Sequence, residues 1–398
     1  MELSRRALSI KPSSTLLISA RGAQLKAEGK DIVTFGVGEP DFDTPKHICE
    51  AAVAAIANGA TRYTPAAGTL ALRQAVCGKL ERDNHLAYDP AQIVISNGAK
   101  HSLMNTFMAI LNVGDEVIIP APYWLSYSEM VSIAGGIPVL VHTKKENQFM
   151  MTKEEMEDAY TDKTKALMLT SPSNPTGMVT SLEGLQLIAN FAVEKDIFVV
   201  SDEIYEKLIY DEAKEHISIA SLNEEIYKRT IVINGVSKSY AMTGWRIGYA
   251  AAPLEIAKLM GALQSHMSSN PNSIAQEATV AALNGPQDCV EEMRLAFKAR
   301  RDYIFEREEA IPLLSALKPE GAFYLFVDVV GTYGKAYNGK EIHSAADFAK
   351  ILLDEKYVAV VPCADFGMDS YIRLSYATSM ETIKEGMDRI EALVLGLK

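Results

Sequence analysis

The chain has 398 residues, 48% hydrophobic and 23% charged, enough apolar material for a sizeable core and too little polar bias for global disorder. Its 39 Lys and Arg against 51 Asp and Glu leave a net charge of −12, which argues against nucleic-acid and anionic-membrane partners. No apolar run reaches membrane-spanning length, and the N-terminus lacks a signal-peptide core, so a cytoplasmic location is expected.

Cys49, Cys77, Cys289 and Cys363 show no Cys-x-x-Cys pairing and read as buried free thiols. The histidines form no His-x-x-x-His pair and no cluster with cysteine, so no metal site is expected. No repeat or low-complexity tract is visible.

In chain order, residues 1–45 contain "KPSS" and "GEPDFDTP", both loop-like, and read as an arm packed on the C-terminal part. Residues 46–288 alternate short apolar runs with helical patterns. The runs are "QIVIS", "DEVIIPAP", "IPVLVHT", "KALMLTS", "DIFVVSDE", "TIVING" and "RIGYAAA". "HSLMNTFMAIL" and "LEGLQLIANFAVEK" have helical spacing. Uniformly apolar strands separated by helices predict an α/β fold, with a mostly parallel sheet covered on both faces. From 289 to 398 the pattern changes to a long charged helix, "EEMRLAFKARRDYIFEREEA", and the strand-like "GAFYLFVDV", "YVAVVPC" and "YIRLSYA". These describe a smaller α+β domain completed by the arm, beside a large domain over 46–288.

In open α/β sheets ligands gather beyond the carboxyl ends of the strands. There "QIVIS" leads into Asn97 and Gly98 at a helix start, which suits a phosphate, although "NG" is also a common turn. The loop after "IIPAP" carries Trp124, a ring for stacking on a flat ligand or for ordinary half-buried packing. "SPSNPTG" holds Asn174 between two prolines. "IFVVS" ends in Asp202 with Tyr205 three residues on; the carboxylate either meets a cation or donor, or N-caps a following helix. Lys238 follows "TIVING", and Arg246 offers a planar fork for phosphate oxygens. An amine, a carboxylate, a phenol, a carboxamide, a flat ring and a phosphate cradle are together what pyridoxal phosphate requires.

With "SNPTG", "SDEIY" and "SKSYAMTGWRIGY" in this order, and "GEPDFDTP" and "SNGAKHSLMN" beside them, the chain resembles the class I, fold-type I pyridoxal-phosphate aminotransferases nearly end to end. Within them it is similar to the bacterial aspartate aminotransferase branch. The resemblance implies transfer of an amino group between an L-amino acid and a 2-oxo acid, most simply L-aspartate and 2-oxoglutarate. It makes Lys238 the Schiff-base lysine and acid/base, Asp202 the partner of the pyridine nitrogen, and Tyr205 and Asn174 the partners of the ring oxygen. Trp124 stacks on the ring, while Gly98, Ala99, Lys100, Ser237 and Arg246 line the phosphate end. Many relatives have a serine where this chain has Gly235, which puts the hydroxyl contribution of Ser237 in question.

The resemblance further implies a homodimer with shared sites, Tyr63 reaching the phosphate of the partner subunit. Arg373, helped by the backbone at Gly38, holds the substrate α-carboxylate. The distal carboxylate of a dicarboxylic substrate falls to Lys100 or Lys11. The alternatives are prephenate as a second substrate, a β-lyase or cyclopropane-forming synthase of the same fold, and a non-catalytic pyridoxal-phosphate-sensing regulator. Regulators of that kind carry an added DNA-binding domain.

Overall fold

The computed structural model describes residues 3–4, 7–8, 10, 14–211 and 215–398. After a short strand, β1 (Val33–Thr34), seven strands build one sheet. They are β2 (Ile93–Ser96), β3 (Glu116–Ala121), β4 (Ile137–His142), β5 (Thr164–Thr170), β6 (Phe198–Asp202), β7 (Thr230–Gly235) and β8 (Gly248–Ala251). The order across the sheet is β2-β8-β7-β6-β5-β3-β4.

Every pairing in it is parallel except those of β8, which runs against both β2 and β7. A parallel neighbour requires a long crossover, usually a helix, and residues 236–247 between β7 and β8 provide no α-helix to cross with. The chain therefore turns back. Both faces of the sheet are covered, as the uniformly apolar runs predict. Along β7, Ile231 and Ile233 join Phe107 and Met260 on one side, whereas Val232 joins Val76 and Leu283 on the other. The edge strand β4 is largely exposed.

The helix Leu182–Lys195 matches its sequence pattern because its ends are marked. The Ser181 hydroxyl accepts from the Gly184 N–H at 3.1 Å, Lys195 lies in the last turn, and Asp196 ends it in the left-handed region. The helix after β2 spans Ala99–Ile110 and so starts before its apolar pattern does. Its N-cap, Gly98, brings no side-chain signal.

The C-terminal segment contributes the long helix Asp288–Glu309 and the strands β9 (Ser315–Ala316) and β10 (Tyr324–Asp328). A small hairpin of β11 (Ala336–Tyr337) and β12 (Lys340–Glu341) follows, then β13 (Val358–Ala359), β14 (Val361–Pro362) and β15 (Tyr371–Ser375). The antiparallel order is β14-β15-β10-β9. "YVAVVPC", expected as one strand, changes partners at Val360: β13 pairs with β1, and β14 with β15.

The arm is more regular than its loop-like composition suggests. It holds the helix Ser14–Ala27 as well as β1. Phe35, fully buried, lies in one cluster with Phe323, Phe348 and Met387. Its N–H donates to the Ala359 carbonyl at 2.8 Å, and its carbonyl accepts from Ser375 at 2.8 Å. A Cβ on Gly386 would collide with this ring, so the glycine makes the seat.

Three of the four cysteines depart from expectation: Cys49, Cys77 and Cys289 are only half-buried, and Cys363 alone is buried, all four being free. Among the described residues no helix is long and apolar enough to cross a membrane.

Phe35→Ala should cost about 3–5 kcal/mol by the cavity it leaves. Val37→Ala, at a position 36% exposed, should cost less than about 1 kcal/mol. Thermal unfolding of both variants checks this; equal midpoints would mean that the arm is not anchored through Phe35.

Candidate active site

The carboxyl ends of β2, β3, β5, β6 and β7 lie along one edge of the sheet, and the segments leaving them surround a cleft of about 350 Å³. Lys238, Asp202, Tyr205, Asn174, Trp124 and Arg373 all line it, and so do Gly38, Ala99, Lys100, Ser237 and Arg246. Gly98 lies against Arg246 at its edge.

Lys238 follows β7 and points its amine into the cleft, where Nζ donates to the Gly38 carbonyl at 2.6 Å. Burial pulls its pKa down to about 8. The Glu39 carboxylate resists that shift, and the Arg373 and Arg246 guanidinium groups add to it. Asp202 ends β6 and is 3% exposed. Its Oδ2 accepts from the Tyr127 hydroxyl at 2.7 Å and its Oδ1 from the Ile204 N–H at 3.2 Å. Burial raises this carboxyl to about 6, against the pull of those two hydrogen bonds. No helix follows Asp202 for it to cap: one oxygen instead accepts from the turn after β6, and the group lines the cleft.

The Tyr205 hydroxyl pairs with that of Tyr324 at 2.8 Å, and burial pushes its pKa well above the usual phenol range. Asn174 turns its Oδ1 to Arg373, which donates from Nη1 at 2.9 Å. The other arm of the guanidinium donates to the Gly36 carbonyl at 3.3 Å, and the group lies 4.4 Å over the Tyr324 ring. The Arg373 Nε is buried without a hydrogen-bond partner among the described residues. Side chains alternate along β15: Ile372 and Leu374 enter one apolar cluster, and Tyr371 another on the face that carries Arg373.

At the other end, Arg246 donates to the carbonyls of Thr243 at 2.8 Å and Asn97 at 3.3 Å. Two glycines keep this end tight. A Cβ on Gly98, whose φ is +85°, would strike the guanidinium, and one on Gly248 would strike the backbone N of Ala99. Without a side-chain cap, the first N–H groups of the helix Ala99–Ile110 are left for an anion. Lys100 Nζ lies 4.8 Å over the Trp124 ring, with its pKa lowered by burial and by Arg246.

Tyr63, expected at the site of a partner subunit, is 90% exposed, and the expectation for Lys11 lies outside the described residues. Three others escaped the sequence reading. Tyr127 stands three positions after Trp124, one helical turn on, and packs edge-on against it at 5.3 Å and 89°. Tyr324 follows from alternation, because Phe326 is the register partner of Arg373 and Tyr324 shares its face. Glu39, in "GEPDFDTP", accepts from the Thr243 hydroxyl at 2.7 Å.

The donor set fits pyridoxal phosphate. An amine whose pKa burial lowers can join its carbonyl, a buried carboxylate can face its ring nitrogen, and a cation beside uncapped N–H groups can take its phosphate.

Comparison with known proteins agrees on the cofactor. The family described as aminotransferase class I and II matches residues 30–390. An aspartate aminotransferase from Bacillus sp. (strain YM-2) is 50% identical, over 98% of this chain and 99% of its own. An aspartate/prephenate aminotransferase from Nitrosomonas europaea is 44% identical over 99% of this chain and 100% of its own. The crystal structure of the aspartate aminotransferase from Rhizobium meliloti superimposes with a TM-score of 0.97 at 43% identity, covering 100% of both chains. The chain belongs to the class I and II aminotransferases, and its cofactor is pyridoxal phosphate.

Proposed function

We propose that the cleft moves an amino group between L-aspartate and 2-oxoglutarate, giving oxaloacetate and L-glutamate. The observation that carries this reading is the convergence of the Lys238 amine, the Asp202 carboxylate and the Arg373 guanidinium on one cleft, with Lys100 as a further cation beside Trp124. The names of the relatives from Bacillus and Rhizobium support it. The name of the Nitrosomonas relative favours prephenate as a second acceptor.

Pyridoxal phosphate bound here supplies a sink for the electron pair left when the substrate's Cα–H bond breaks. Arg246, Ser237 and the backbone of Gly98 and Ala99 would hold its phosphate, Tyr205 and Asn174 its ring oxygen, and Trp124 its face. Asp202 would hold a proton at the ring nitrogen. Lys238 Nζ would hold the cofactor's carbonyl carbon at rest and, set free when the substrate amine takes its place, would move the Cα proton. Arg373 binds the α-carboxylate, its unpartnered Nε adding a donor that no described group uses.

The arm 1–45 and residues 289–398 form one body in this reading, and 46–288 the other, closing over the substrate to exclude water. The Arg300 guanidinium bound to both oxygens of Asp41 supports that grouping. Tyr63, outside its own cleft, serves the cleft of a second copy in a homodimer with shared sites.

Lys238→Ala should lose the cofactor's absorbance band and at least ~10²–10⁴-fold in turnover. A variant that keeps both would overturn the assignment. In the apo-protein only the neutral Lys238 amine captures the cofactor. Because burial depresses its pKa to about 8, uptake should rise as pH climbs toward 8 and level off above it. Stopped-flow absorbance measures this; a rate still climbing at pH 10 would mean an ordinary lysine.

Lys100→Ala tests the substrate. A charge-assisted bond to the distal carboxylate is worth about 1.5–3 kcal/mol, or roughly 10- to 150-fold in kcat/KM for aspartate and glutamate, with little change for alanine. Equal loss across the panel, at saturating cofactor, would leave Lys100 only a charge near the phosphate.

A further inference from the structure

Asp202 has two oxygens and, among the described residues, two protein donors. Oδ1 is taken by the Ile204 N–H of its own turn, and Oδ2 by the Tyr127 hydroxyl. The hydroxyl of Tyr127 also lies 2.9 Å from Thr170 Oγ1. An ionised carboxylate can only accept, so Tyr127 spends its one proton on Asp202 and must accept from Thr170. The direction of the relay is thereby fixed, from Thr170 to Tyr127 to Asp202.

Nothing in it can easily swing away. Thr170 and Asp202 are register partners on β5 and β6. Tyr127 is 2% exposed and sits edge-on to Trp124. One side chain thus bridges the residue read as stacking on the cofactor's ring and the residue read as facing its nitrogen.

We propose that Tyr127 is a positioning residue for Asp202: with Thr170 behind it, it aims the carboxylate and keeps it the weaker base, so that the shared proton stays on the cofactor's ring nitrogen. This inference rests on the reading of Asp202 given above. The other titratable groups facing Asp202 are Glu203 beside it in the chain, Tyr205 from the following turn and Lys238 from the loop after β7. Tyr127 is the foremost of the groups that oppose the effect of burial. Charge-assisted hydrogen bonds of this kind are the strong ones, and a buried carboxylate that loses one holds its proton more tightly.

Tyr127→Phe removes the hydroxyl and keeps the ring against Trp124. In apo-protein labelled with ¹³C at aspartate carboxyls, the Asp202 midpoint should rise from about 6 by about one pH unit or more. In the loaded enzyme kcat should fall about 10- to 100-fold, while KM for aspartate moves less than about threefold, because Arg373 and Lys100 are untouched. Thr170→Val should shift both readings the same way by less.

A merely structural Tyr127 would lower the unfolding temperature with the Asp202 midpoint unmoved, and that result overturns the proposal. If Tyr127→Phe does not fold, the midpoint in Thr170→Val decides, an unmoved value again overturning it. Near-normal turnover in Asp202→Ala would instead overturn the reading of Asp202 itself, which separates the two failures.

Discussion

Taking an amine and a carboxylate out of water into the same cleft is the constraint on which this molecule is organised. Burial pushes each group toward its neutral form, Lys238 downward and Asp202 upward, so that both change charge within reach of neutral pH. That is tolerable only where each is given a specific partner. The Gly38 carbonyl takes the amine, and Tyr127 and Ile204 donate to the carboxylate. The parallel sheet makes this possible because adjacent strand ends deliver side chains to one edge at fixed spacing.

Arg373 shows how far the dependence extends. Its guanidinium is held by Asn174 after β5 and by the Gly36 carbonyl of the arm, while it stands on β15. Three segments far apart in the chain must dock for it to be aimed. The buried Phe35, hydrogen-bonded to Ala359 and Ser375, is what docks the arm. The stability of the arm and the geometry of the anion site are thus one property.

What could be read from the sequence follows from which signals are local. "TIVING" and "LEGLQLIANFAVEK" coincide with their elements because the apolar pattern lies within each and, for the helix, Ser181 and Asp196 mark its ends directly. Lys238, Asp202, Asn174 and Trp124 were legible because each follows an apolar run and carries an unusual functional group, whereas the role of Arg373, inside β15, came only through the resemblance. Direction is not local: nothing inside "RIGYAAA" says that β8 runs backward, which depends on the short connection before it. The helix Ser14–Ala27 lies in a stretch that offered only loop-like cues. Tyr127 and Tyr324 were missed because a buried tyrosine looks like core packing until its hydroxyl partner is known.

The reversal at β8 has a consequence for how the segment can vary. Gly235 and Gly248 face each other in the ladder so closely that a Cβ on Gly235 would strike the Gly248 Cα. Both ends of residues 236–247 are therefore pinned to neighbouring rungs, and Lys238 and Arg246 hang from the same short span. The span behaves as a ruler, its length setting how far the amine stands from the guanidinium. Substitutions on it can be absorbed one side chain at a time. An insertion or deletion would displace both groups together, so length along 236–247 should tolerate little change.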